Sequence, residues 1–135
     1  MKNSINEKIE NLKSEFDLLD NPMDKYQYII DLGKEKDDIF KEIRLEKNLI
    51  KGCVSQAWMH IESKQNPIKI ITDSDALIVR GLLNILERLV NNSSTDEIKE
   101  LDGSKILNDI GLGYSISSQR TNGFVGAVNK IKMGI

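Results

Sequence analysis

The sequence of 135 residues has one cysteine, one histidine and two prolines, and no apolar run that approaches the roughly 20 residues needed to cross a bilayer. One cysteine excludes an internal disulfide, and with no CxxC it excludes an internal dithiol couple. One cysteine and one histidine cannot complete a zinc set of those ligands. The opening stretch "MKNSINEKIENLKSEF" lacks the apolar core of a signal peptide, and a lone thiol suits a reducing compartment, so the expected location is the cytoplasm with no membrane contact. Charge of one sign is also lacking. Nineteen basic against 21 acidic side chains leave a net charge of −2, which gives no concentrated positive surface for nucleic acid.

What is present is a globular composition, 39% hydrophobic and 30% charged, in a length that one core can serve. We find no internal repeat and no domain boundary, so residues 1–135 are read as one domain. Ser4 with Glu7 forms a capping box ahead of Ile5, Ile9, Leu12, Phe16 and Leu19, which predicts a helix over 5–19. A second helix is expected from Pro22 to about Gly33, pairing with the first as a hairpin. Residues 34–47 carry ten charges in fourteen positions and read as an exposed connection, with a turn of helix around Ile39 and Phe40. Three strand candidates follow, "NLIK", "VSQAWMHIES" and "PIKIITDS". From Asp75 the dense apolar pattern predicts the central helix, in which Gly81 implies close packing against another element. Ser94 and Glu97 form a second capping box, residues 102–118 read as turn, short helix and loop, and a last helix starts near Ser118 or Thr121. Helices, a small sheet, then helices again make the fold class α+β, a three-stranded antiparallel sheet covered by helices.

By residue type alone Cys53 is a small core hydrophobe. Its position after Gly52, between two strand candidates, instead places the thiol at a turn where a partner can reach it. Backbone N–H groups of that turn or the Ser55 hydroxyl would raise the thiolate fraction, which is a few per cent at neutral pH for an ordinary thiol. A Cys–His hydrolase is disfavoured, because one continuous strand would hold His60 roughly 20 Å from Cys53. "GLG" at 111–113 is a loop, since Ile116 stands where a dinucleotide fingerprint needs its third glycine. Trp58 reads as a core or edge aromatic, Arg120 as a surface cation and Asp75 as the N-cap of the central helix.

Taken together, "GCVSQAW" at 52–58, "TDSDALIVRGLL" at 72–83 and "SSQRTNGF" at 117–124 resemble, in order and spacing, the SufE family of sulfur acceptors, which includes the CsdE proteins. The resemblance implies a SufE/NifU-like fold and a role for Cys53 as acceptor of sulfur from the persulfide of a cysteine desulfurase. That partner is SufS-like or CsdA-like and uses pyridoxal phosphate. The sulfur then passes to an iron–sulfur scaffold, and the acceptor has no cofactor of its own. In this reading the chain stimulates the desulfurase and is not a stand-alone enzyme. The resemblance assigns Gly52, Ser55, Asp75, Arg120, Asn122 and Gly123 to the surroundings of the reactive loop or to partner contact. Two departures stand out: Ala57 replaces the family's usual valine, and residues 34–47 lack its prolines. The competing reading is a noncatalytic adaptor that binds and regulates the desulfurase without carrying sulfur.

Overall fold

The computed structural model describes residues 4–35, 42–51, 55–65, 67–112 and 115–135. The expected turn around Ile39 and Phe40 lies outside them. Helix α1 (Ile5–Asp17) starts where the Ser4 hydroxyl accepts from the Glu7 N–H at 3.2 Å, and it buries Ile5, Leu12 and Phe16. Helix α2 (Pro22–Lys34) is capped by Asn21, whose side chain accepts from the Asp24 N–H at 2.9 Å, with proline in the first turn as its fixed φ favours. The two helices meet edge-on through Phe16 and Tyr28, ring centroids 5.1 Å apart. Their principal partners lie elsewhere, α1 against the later helices and α2 along the central one, so the simple hairpin expected from sequence opens around the core.

Strands β1 (Ala57–Ser63) and β2 (Lys69–Ser74) pair antiparallel, with Trp58 opposite Asp73, Met59 opposite Thr72 and His60 opposite Ile71. The expected third strand is not a ladder. Among the described residues the sheet has two strands, and "NLIK" contributes one bridge, Leu49 opposite Trp58. The reason is local. A 3₁₀ turn at Glu46–Asn48, fastened by the Asn48 side-chain amide donating to the Ile43 carbonyl at 2.8 Å, curls the chain just before it reaches β1. The outer edge of β2 is covered differently. Asn91 accepts from the Ile70 N–H at 2.8 Å and donates to its carbonyl at 3.5 Å, occupying the place of a neighbouring strand, while the Ile68 N–H donates to the Ser93 carbonyl.

Helix α3 (Leu77–Val90) is the centre of the molecule, with nine of fourteen residues buried between α2 and the sheet. Its approach to α2 is as close as Gly81 implies. A Cβ on Gly81 would run into the Ile29 carbonyl, and one on Gly33 would meet the Leu77 carbonyl. Asn84 adds a hydrogen bond to the Leu32 carbonyl at 3.0 Å. The cap differs from expectation: Ala76 is the N-cap residue, whose methyl side chain has no acceptor, and the Ser74 hydroxyl, buried at the end of β2, accepts from the Ala76 N–H at 3.2 Å. Asp75 is left exposed.

Helix α4 (Thr95–Lys99) starts at the predicted Ser94 cap, and Glu97 reaches across to accept from the Ile5 N–H at 2.9 Å, joining the starts of α1 and α4. At the other end of α3, Lys8 donates to the Asn91 carbonyl and the Ser93 hydroxyl, and burial holds its ammonium below the usual lysine range, partly offset by Glu97. Helix α5 (Gly103–Ile110) ends in a left-handed Gly111 at φ 93°. Helix α6 (Ser118–Gly134), capped by Ser117, buries Gly123, Phe124, Ala127, Val128 and Ile131. The class is thus α+β, with six helices among the described residues, and none of these helices is long and apolar enough to cross a membrane.

Candidate functional site

Gly52 and Cys53 lie outside the described residues, but both ends of the segment that carries them are on the page. Ile50 donates its N–H to the Ala57 carbonyl at 2.8 Å, so the chain enters and leaves this segment at one place, the end of the sheet. On the entering side the Lys51 carbonyl sits directly over Gly126 of α6, where any side chain would displace it. On the leaving side the Gln56 carbonyl accepts from the Ser74 hydroxyl at 2.7 Å and from the Asp75 N–H at 3.2 Å. Three elements therefore hold the two flanks: the middle of α6, the end of β2 and the segment leading into α3.

The structure brings some of the sequence candidates to this end and leaves others apart. Ser55 is half-buried one residue before Gln56, and Asp75 touches the same segment through its backbone while it stays exposed. Arg120 occupies the first turn of α6, its N–H donating to the Ser117 hydroxyl at 3.3 Å. Its Nη1 is buried and has no hydrogen-bond partner among the described residues, so it is not the free surface cation expected from its position in the sequence. Gly123 is buried one turn later, and Gly126, the seat of Lys51, follows after another three residues on the same face, about 9 Å along the axis from Arg120. Asn122 is exposed. His60 is paired opposite Ile71, down the strand from this end.

One cluster was not singled out from the sequence, although Asp73 and Arg80 fall in the 72–83 motif and Trp58 in the 52–58 motif. Asp73 is 2% exposed, with Oδ2 at 2.7 Å from Arg44 Nε and Oδ1 at 3.3 Å from Arg80 Nε, and Oδ1 also accepts from the Ser74 N–H at 2.9 Å. The Arg44 guanidinium lies 4.8 Å from the centroid of the Trp58 ring, the cross-strand neighbour of Asp73. This network pins the charged connection to the end of the sheet from which the Cys53 segment departs. Arg44 is one of ten charges in residues 34–47, all of which read as solvated surface, and its partner is 29 residues away. Only the register of β1 against β2 selects it. Among the described residues no three His, Cys, Asp or Glu side chains converge to hold a metal.

A family model described as the SufE Fe-S metabolism associated domain matches residues 10–135. An uncharacterized SufE-like protein of Rhizobium etli is 37% identical over 128 residues, covering 92% of this chain and 86% of the relative. An uncharacterized SufE-like protein of Rhizobium meliloti is 33% identical over 128 residues, covering 92% of this chain and 91% of the relative.

Proposed function

Since this chain belongs to the SufE family, associated with iron–sulfur metabolism, we propose that Cys53 accepts sulfur from the persulfide of a partner cysteine desulfurase and delivers it toward iron–sulfur cluster assembly. The Cys53 thiolate attacks the outer sulfur of the donor persulfide. A new S–S bond forms on Cys53, the old one breaks, and the donor cysteine leaves as thiolate, so no external oxidant or reductant is consumed. A single thiol on the acceptor is enough. The observation that supports this reading is that the sequence segment holding the chain's one cysteine has both flanks tied down, to α6 and to the end of β2.

In this reading the donor is SufS-like or CsdA-like, draws its electrophilic chemistry from its own pyridoxal phosphate, and turns over faster when Cys53 empties its persulfide. Ser55, Asp75, Arg120, Asn122 and Gly123 shape the surroundings of the thiol or meet the donor, and none of them breaks a bond. The buried Nη1 of Arg120 carries positive charge within the first turn of α6, the helix whose Gly126 seats the Lys51 carbonyl, which supports a role near the thiol. The cytoplasm suits a thiol that must stay reduced between deliveries.

The test is incubation with a cysteine desulfurase and free cysteine, followed by intact mass. The expected product is a one-sulfur adduct on Cys53 that reductant removes, absent from Cys53→Ser, together with loss of desulfurase stimulation in that variant. A Cys53→Ser chain that stimulates as fully as the parent would overturn the relay and leave an adaptor in its place.

A further inference from the structure

The acidic side chains are not spread evenly. The last aspartate or glutamate is Asp109, and residues 110–135 contain none, while Arg120, Lys130 and Lys132 fall there. In a chain of net charge −2 this makes α6 the cationic side of an otherwise acidic molecule. Along that helix runs an open groove of about 510 Å³ between the 49–51 segment and the C-terminal half of α6, lined by Leu49, Lys51, Gly126, Asn129, Lys130 and Met133 among others. Its size is in the range, about 300–1,000 Å³, that takes a ligand or a few side chains of a partner.

Three features give the groove a chemistry. No carboxylate lines it, and among the described residues neither Lys51 nor Lys130 has an acidic partner; the Lys130 ammonium reaches only the Lys47 carbonyl, at 3.5 Å. Met133 is 88% exposed, a large and adaptable apolar side chain left outside the core in a groove that Lys51 and Lys130 also line. At Gly126 the two walls meet, the Lys51 carbonyl filling the space that a side chain would need. A surface that offers apolar contact flanked by two cations fits a segment with an apolar side chain between carboxylates.

The groove also begins at Lys51, two residues before Cys53, which limits the separation of their Cα atoms to about 7 Å. An occupant of the Lys51 end is thus bound near the cysteine in the chain. We propose that this groove docks an acidic, apolar-centred segment of the sulfur donor, so that Lys51, Lys130 and Met133 set the donor's affinity while Cys53 does the chemistry. This rests on the sulfur-transfer reading above. Docking by charge around a small apolar contact gives fast, salt-sensitive association and ready release, as repeated delivery requires.

The experiment uses the full chain and the purified desulfurase that loads Cys53. Parent, Lys51→Glu/Lys130→Glu, Met133→Asp and Cys53→Ser chains are compared for desulfurase affinity over a salt series, and for sulfur uptake from glutathione persulfide, which needs no docking. The expected result is a Kd raised about tenfold or more for the double reversal and severalfold for Met133→Asp. The parent's Kd should rise with salt and the double reversal's change little, Cys53→Ser should bind as the parent does, and both groove variants should take sulfur from the small persulfide at the parent's rate. Parental affinity in the double reversal overturns the groove while leaving the Cys53 adduct standing. A dimer of the parent chain that the reversals dissociate, with desulfurase affinity unchanged, overturns it in favour of a second copy. Failure of the parent to acquire sulfur from the desulfurase at all overturns the relay, and the groove assignment with it.

Discussion

Asp73 carries a guanidinium on each oxygen and almost no exposure, so its removal takes a shared, buried counter-charge from two cations at the end of the sheet. Breaking a buried pair by deleting one partner is costly because the remaining charge stays desolvated. Asp73→Ala is therefore expected to lower unfolding free energy by about 3 kcal/mol, read by urea denaturation. Arg44→Met should cost less, about 1 kcal/mol, since Arg44 is 30% exposed and Arg80 still neutralises the carboxylate. Equal losses for the two variants would mean that the connection, rather than the buried charge, limits stability. At this scale legibility was uneven. Cys53 was conspicuous by being single and by its motif, whereas Asp73 was silent, because a carboxylate in a strand reads as exposed until its register and its distant arginines are known. Asp75, adjacent to the same turn, attracted the capping role that the Ser74 hydroxyl performs.

Helices were legible wherever the cap and the apolar period agree, as at Ser4 with α1, Ser94 with α4 and the long stripe of α3. The strand that failed is one whose pairing is cut short by the preceding 3₁₀ turn, and that turn depends on a buried Asn48 whose acceptor sits five residues earlier. Gly81 shows how an element can be read from its least typical residue. Its missing side chain is where α2 and α3 touch backbone to backbone, and neither helix can yield locally. Gly81→Ala should destabilise by about 2–3 kcal/mol despite its better helix propensity. Gly111→Ala tests a different cause, since its surroundings are open, with Lys25 Nζ the nearest atom at 3.5 Å, and only the left-handed backbone resists. That change should cost about 1 kcal/mol, and Gly111→Asn less. Thermal melts of the three variants check the order, and a neutral Gly81→Ala would show that the helices can separate without loss.

One buried cluster runs from Ile5 in α1 through the sheet to Ile131 in α6, so these described elements share a core. Unfolding in urea is expected to be a single transition in which Trp58 emission and far-ultraviolet circular dichroism coincide. Separated midpoints would divide the molecule into independently folding parts. The class and the order of elements were readable because alternation, period and capping are local. The assembly was not, since the placement of α1 against α5 and the seating of Lys51 on Gly126 arise only when distant segments meet. The amide of Asn91 adds a consequence for life in a crowded cell. By occupying the Ile70 backbone from within, it leaves a neighbouring polypeptide less of the β2 edge to recruit, so encounters there are decided by side chains and the small ladder is a poor seed for fibrils.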